Sequence, residues 1–220
     1  MTFYKISSVE TVAKAVAEAI REHLGVGEPV FWLVPGGSAI AVASLASKML
    51  GGVPLDKLVV SLTDERFGPV GHTDSNWRQL NMAGFELPKA KLLPILGGKD
   101  APAACEDFKL TLKEHLTAPS YKIGLFGIGT DGHTAGILPD SPAASSEDLA
   151  ACYEADFTRI TITPKAIAML DEAIVYCTGE SKLAALNQLE QDLPVAKQPA
   201  QALKTAKKLS VYNDYKGEPV

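Results

Sequence analysis

Asp131-Gly132-His133 is the segment best equipped for proton transfer. A carboxylate two residues from an imidazole can orient the ring and tune its basicity, which is what a general base needs. A plain Asp-Gly turn with a loop histidine held by a carbonyl would look the same. His23 and His115 fall in predicted helices, on faces expected to be solvated, and His72 lies in a polar loop as a weaker candidate for a pocket rim. Three cations also stand where an anion could be met. Arg66 closes Thr63-Asp64-Glu65-Arg66, Arg159 opens an alternating run, and Lys182 sits in the expected first turn of a helix. A cation there opposes the helix dipole unless something negative lies nearby, and a guanidinium suits bidentate phosphate binding. The ordinary readings are a surface ion pair of Arg159 with Asp156, a salt-bridge cluster at residues 64–66, and a solvated Lys182. One carboxylate of Asp64-Glu65 could handle a proton or a sugar hydroxyl while Arg66 binds an anionic group. Gly36-Gly37-Ser38, between a strand and a helix, would let backbone amides approach an anion, although it equally suits a tight βα turn.

These groups come together only if the elements between them place them on one edge. Val9, Val12, Ala13, Val16, Ile20 and Leu24 make a helical stripe behind a Ser7…Glu10 capping-box spacing. The apolar runs at 29–34 and 121–127 read as buried strands, 57–63, 173–178 and 209–212 as further strands, and 92–95 as a weak one. Residues 159–163 alternate with period two. Helices are expected up to about Met49, over 75–82, 105–116 and 181–190, and briefly after Pro164; residues 64–74 and 128–142 read as loops. Strands alternating with helices predict an α/β fold, doubly wound and Rossmann-like, with a mostly parallel sheet and helices on both faces. No repeat or linker divides residues 1–220, so one domain is expected, and the Ala/Ser-rich stretch at 143–151 is the best candidate for an excursion. Ligands of such sheets bind beyond the carboxyl ends of the strands. That rule gathers residues 35–38, 63–66, 127–133 and 178–182 at one edge, and Arg159 joins them if its strand runs antiparallel.

Composition narrows the function classes. Of 220 residues, 46% are hydrophobic and 21% charged, enough apolar surface to exclude a disordered chain. The net charge of −5, with no basic run longer than Lys207-Lys208, argues against a nucleic-acid partner. No apolar run is long enough to span a bilayer, and no signal sequence opens the chain, so neither a membrane nor export is expected. Cys105, Cys152 and Cys177 are odd in number and fit no CxxC pattern, as expected of reduced thiols in a cytoplasmic protein. Asp64, His72, Asp131 and His133 lack ligand spacing such as HExxH, so no metal is expected. Gly37-Ser38-Ala39-Ile40-Ala41 does not fit the GxSxG elbow of serine hydrolases. What remains is a sugar- or acid-phosphate site with one histidine base. The sequence assigns no oligomeric state.

Taken in order, Gly36-Gly37-Ser38, Thr63–Arg66 with His72–Asn76, Gly127–Ala135, Arg159–Pro164, Thr178–Lys182, Pro199-Ala200 and Asn213-Asp214 resemble the 6-phosphogluconolactonase family. That family is grouped with the glucosamine-6-phosphate deaminases/isomerases. The resemblance implies hydrolysis of 6-phospho-D-glucono-1,5-lactone, with no cofactor. It implies His133 as the base that deprotonates water and Asp131 as its support. Gly36, Gly37, Ser38, Asp64, Arg66, Asn76, Arg159 and Lys182 then bind substrate or its phosphate. Two positions depart from the family pattern. Ala39 stands where a Thr is usual, which removes a hydroxyl and implies a weaker or differently built phosphate cradle, and Asp140 stands where a Gly is usual, an acidic group able to alter the rim of the site. The deaminase branch typically has Tyr at the position of Arg66 and a Phe-Asn-Glu-Pro run where this chain has Ala135–Pro139. A non-catalytic sugar-phosphate sensor is the third reading; the Asp131/His133 pair argues against it.

Overall fold

The computed structural model describes residues 1–220. Val30–Val34 forms a strand (β2) in which every residue is buried, as its continuous apolar run requires. Before it come β1 (Thr2–Lys5) and α1 (Val9–Gly25). After it follow α2 (Ile40–Met49), β3 (Leu58–Leu62), β4 (Asp64–Arg66), α3 (Asn76–Met82), β5 (Lys91–Leu93), α4 (Ala101–Thr117) and β6 (Tyr121–Phe126). The chain continues through β7 (Ala150–Glu154), β8 (Thr158–Ile162), α5 (Pro164–Ile167), β9 (Glu172–Tyr176), α6 (Leu183–Leu189), β10 (Lys208–Asn213) and β11 (Glu218–Pro219). Eight strands make one sheet in the order β11-β1-β10-β9-β6-β2-β3-β5, and every neighbouring pair is parallel. A contiguous core of 54 buried residues draws on this sheet and on the helices packed against it.

The strand order creates the place for a site. From β2 the chain winds outward through β3 to β5, then crosses back to lay β6 on the other side of β2. The loops leaving β2 and β6 therefore diverge, and the crevice between them is the topological switch point where such sheets bind ligands. Residues 35–38 and 127–133 are those two loops.

A second sheet, unforeseen in the sequence, completes that edge. β4, β8 and β7 pair antiparallel in that order. Thr63 joins the two sheets, donating its amide to the Val34 carbonyl (2.8 Å) and accepting from the Ile162 amide (2.9 Å). The small sheet thus continues from the carboxyl end of β3, beside that of β2, which corrects the reading of 64–74 as loop throughout. The excursion expected at 143–151 is a 3₁₀ turn (Pro142–Ser145) leading into β7. Strands β1 and β11 were also not anticipated.

Helix ends show local corrections. The Ser7…Glu10 capping box is not made, because Ser8 is the N-cap and Glu10 is one position too early to reach back. α4 begins at Ala101, four residues before the expected start, with the Asp100 carboxylate accepting from Ala103 and Pro102 in the first turn, where proline costs nothing. No helix is long and apolar enough to cross a membrane.

His23 and His115 are not on solvated faces. The His23 ring stacks on Tyr121 at 3.6 Å and bonds Glu28. His115 packs 5.0 Å from the Phe31 ring, its side chain 13% exposed and its Nε2 without a hydrogen-bond partner. Burial pushes its pKa down, against the charge of Glu114. The unfolded chain therefore takes up this proton more readily, and stability is lost as pH falls through the ordinary imidazole range, about 6.5. His115→Phe is expected to raise the melting temperature relative to wild type more at pH 5.5 than at pH 8. An equal difference at both pH values would contradict this.

Candidate active site

Beyond the carboxyl ends of β2 and β6 lies a cleft of about 350 Å³. His133 lines it together with Gly36, Gly37, Ser38, Asp64, Arg66, Asn76, Arg159 and Lys182, so all the predicted binding residues meet at one place. Asp131 stands behind the histidine. Its Oδ1 accepts from the His133 ring at Nδ1 (2.6 Å) and from the His133 backbone amide (3.1 Å). Burial pushes the Asp131 carboxyl up, but the His133 amide, the imidazole charge and the ring hydrogen bond together hold it below the usual carboxylate range. With Asp131 ionised, Nδ1 is the donor of this bond, and Nε2 is the ring nitrogen not engaged by Asp131.

The loop that carries this pair is held tightly. The Gly129 amide donates to the His133 carbonyl (2.8 Å), the Gly132 amide donates to the Gly129 carbonyl (3.0 Å), and the Thr134 hydroxyl donates to the Gly127 carbonyl (2.8 Å). Gly129 lies directly under the imidazole, and a Cβ there would collide with ring atoms Nδ1 and Cε1. Glycine is therefore required for close approach. The Gly36 position is equally closed, because a Cβ there would strike the Asn76 amide.

Register places the arginines. In the antiparallel β4–β8 pair, Arg66 stands opposite Arg159. Like charges so placed are unfavourable by roughly 0.2–1 kcal/mol unless neighbours relieve them. Asp156 holds Arg159 through Nε (3.0 Å) and Nη2 (2.7 Å), and the Arg66 guanidinium lies 4.9 Å from the centroid of the Phe157 ring. Burial raises the Asp156 carboxyl, but the hydrogen bonds and charge of Arg159 outweigh it and hold it low. The expected ion pair of Arg159 is thus real, and Arg159 nonetheless lines the cleft. Lys182 lies in a 3₁₀ turn (Glu180–Lys182) that leads into α6, and its Nζ donates to the Ile128 carbonyl at 2.7 Å. That bond turns the ammonium across the mouth of the β6 loop instead of into solvent.

Asp64 is buried at the back of the cleft, accepting from the Thr63 hydroxyl (3.0 Å) and the Asn76 side-chain amide (3.2 Å). Burial pushes its carboxyl up, opposed by the Thr63 hydroxyl and by the charges of Arg159, Arg66 and His133. His72 does not join the cleft lining; its Nε2 is bonded to the Arg66 carbonyl (2.9 Å). Sequence reasoning missed Ala135 as a cleft residue and took Asp156 only as an ion-pair partner. With β7 unrecognised, the turn at 155–157 that presents Asp156 could not be seen.

Comparisons with known proteins show the family and the fold. The model of the family described as glucosamine-6-phosphate isomerases/6-phosphogluconolactonase matches residues 5–211. The chain belongs to this family. It is 31% identical over 193 residues to the 6-phosphogluconolactonase of Pseudomonas aeruginosa, covering 80% of this chain and 78% of that one. The crystal structure of 6-phosphogluconolactonase from Thermotoga maritima superposes with a TM-score of 0.83 at 19% identity, over 97% of this chain and 99% of the other. A monomeric glucosamine-6-phosphate deaminase superposes with a TM-score of 0.80 at 17% identity, over 98% of both chains. The fold is therefore common to both activities, and choosing between them falls to the residues of the cleft.

The two departures from the family pattern also find their places. Ala39 is buried in the core and is not among the residues that line the cleft. Asp140 has φ +54°, which accounts for a glycine as the family's usual residue there. Asp tolerates this region better than most residues, and its carboxylate meets Lys197 Nζ at 2.9 Å. It is not among the residues that line the cleft.

Proposed function

We propose that this protein is a 6-phosphogluconolactonase, hydrolysing 6-phospho-D-glucono-1,5-lactone to 6-phosphogluconate in the oxidative pentose phosphate pathway. The observation that carries the mechanism is the Asp131–His133 pair opening on a cleft flanked by Arg66, Arg159 and Lys182. The three cations receive the phosphate, which lies at the far end of the substrate from the reacting carbonyl. Binding energy gained there orients the lactone against the base. His133 Nε2 takes a proton from water as the water oxygen bonds to C1. The C1–O5 bond then breaks, and O5 leaves with the proton from the imidazolium. Asp131 stays ionised throughout, holding Nδ1–H and balancing the charge of the imidazolium. A lactone is already an activated acyl group, so one positioned base and a water suffice.

Lys182→Ala removes a cation from the phosphate end. A charge-assisted hydrogen bond contributes roughly 1.5–3 kcal/mol, so KM should rise about 10- to 100-fold with kcat nearly kept. A fall in kcat at unchanged KM would place Lys182 at the reacting carbonyl instead.

Arg66, in place of the deaminase branch's tyrosine, favours the lactone over glucosamine-6-phosphate. Parallel coupled assays on the two substrates, each against a no-enzyme control because the lactone hydrolyses spontaneously, test the reading. Accelerated lactone hydrolysis with no ammonia release from glucosamine-6-phosphate is expected. Ammonia release would favour the deaminase, and thermal stabilisation by 6-phosphogluconate without acceleration would favour a sensor.

A further inference from the structure

Glu65 is fully buried beside the cleft, and no step of the proposed reaction uses it. Its carboxylate faces donors alone. Oε1 accepts the backbone amides of Asn76 (2.7 Å) and Arg66 (2.8 Å), and Oε2 accepts the Ser75 hydroxyl (2.9 Å) and the Trp77 amide (3.1 Å). Two of these amides open the first turn of α3, so the helix is fastened to β4 through one side chain. A buried carboxylate is costly in itself and is tolerated because each lone pair is met.

The position matters for what lies one residue further on. Asn76, whose amide Glu65 holds, sends its side chain to two walls of the cleft. Its Nδ2 donates to the Asp64 carbonyl (2.9 Å) and carboxylate, and its amide group fills the space that a side chain at Gly36 would need. A shift of α3 would move Asn76, and with it the spacing between the Gly36 loop and Asp64. The Asp131–His133 pair hangs from the loop after β6 and shares none of these bonds.

We propose that Glu65 is a positioning residue for substrate binding, setting the spacing of the Gly36 and Asp64 walls through Asn76 while leaving the base untouched. This rests on the lactonase reading of the cleft. Its signature is a split between affinity and turnover. Glu65→Gln keeps the shape of the side chain but turns an NH₂ toward donors, displacing the start of α3.

The test measures lactone KM and kcat together with 6-phosphogluconate affinity by calorimetry, for wild type, Glu65→Gln, Asn76→Ala and the double variant. Glu65→Gln should raise KM and the 6-phosphogluconate Kd roughly tenfold, the size of one lost buried charge-assisted bond, with kcat within about threefold of wild type. Asn76→Ala should show the same split, and the double variant should lose less than the product of the two effects, as expected of residues acting through one another. A lower melting temperature with unchanged KM and Kd would overturn the proposal, leaving Glu65 a structural residue only. A fall in kcat at unchanged Kd would overturn it too. If Glu65→Gln does not fold, Ser75→Ala decides, since it frees one lone pair of the same carboxylate and keeps the charge. A two- to threefold rise in Kd then supports positioning, and an unchanged Kd overturns it. Because 6-phosphogluconate binding is read apart from catalysis, a wild type that bound it without hydrolysing lactone would fail the lactonase reading alone.

Discussion

His133→Ala should lower lactone turnover by about 10²–10⁴-fold, the usual contribution of a positioned general base. Binding of 6-phosphogluconate should stay within about threefold of wild type, because the cations proposed to meet the phosphate are carried by other elements. Arg66 and Arg159 lie on β4 and β8, and Lys182 on the turn before α6, whereas His133 hangs from the loop after β6. Truncating the imidazole leaves Asp131 without its ring partner, but Asp131 is partly exposed and keeps the backbone amide of residue 133, so the fold should survive. Rates must be taken above spontaneous hydrolysis. Hydrolysis at near-wild-type rates by this variant would remove His133 from the mechanism.

Gly129→Ala should do nearly the same damage without touching either member of the pair. A methyl group at this position would occupy the site of His133 Nδ1 and Cε1 and would come within 2.6 Å of Asp131 Oδ1. The backbone cannot yield, being tied by its amide to the His133 carbonyl and by its carbonyl to the Gly132 amide. The ring can yield, because the His133 side chain is 38% exposed and can swing outward. Turnover should therefore drop by about 10²–10³-fold while the melting temperature changes little. Combined with His133→Ala, the glycine change should cost no further turnover, since the base would already be gone. A Gly129→Ala enzyme with full activity would mean that the contact between Asp131 and the ring is dispensable.

Much of this architecture was legible from residue type and order. Val30–Val34 and Tyr121–Phe126 announce themselves as buried strands because a parallel strand covered on both faces must be continuously apolar. With those strands placed, the rule that ligands bind at their carboxyl ends points to the loops that line the cleft. The small sheet escaped detection for physical reasons. β4 is three charged residues, Asp64–Arg66, whose strand character comes only from pairing with a segment nearly a hundred positions away. β7 is Ala-Ala-Cys-Tyr-Glu, with little intrinsic preference for a strand, and its burial comes from α4 and β8. Arg159 was tied to the site on the condition that its strand ran antiparallel; that condition holds, in a sheet that was not foreseen.

The departures from the family pattern show the same division. Ala39 read as a lost phosphate contact because its neighbours in sequence face the ligand, but the 3₁₀ turn Gly37–Ala39 directs its side chain into the core. Asp140 read as an altered rim, and the structure makes it a question of backbone conformation. Neither outcome could be read from residue type, since both depend on which way a single turn points. Glu65 reads in the sequence as part of a salt-bridge cluster or as one of two carboxylates able to handle a proton, and its bonds to the first turn of α3 depend on the meeting of β4 with that helix.

The central claim is that one cleft holds the phosphate among three cations and the lactone carbonyl against His133. A crystal structure with 6-phosphogluconate bound tests it most directly. The account predicts the phosphate within hydrogen-bond distance of Lys182 and at least one of Arg66 and Arg159, with the C1 carboxylate facing His133 Nε2. A phosphate far from Lys182 and Arg159, or a carboxylate turned away from His133, would contradict it.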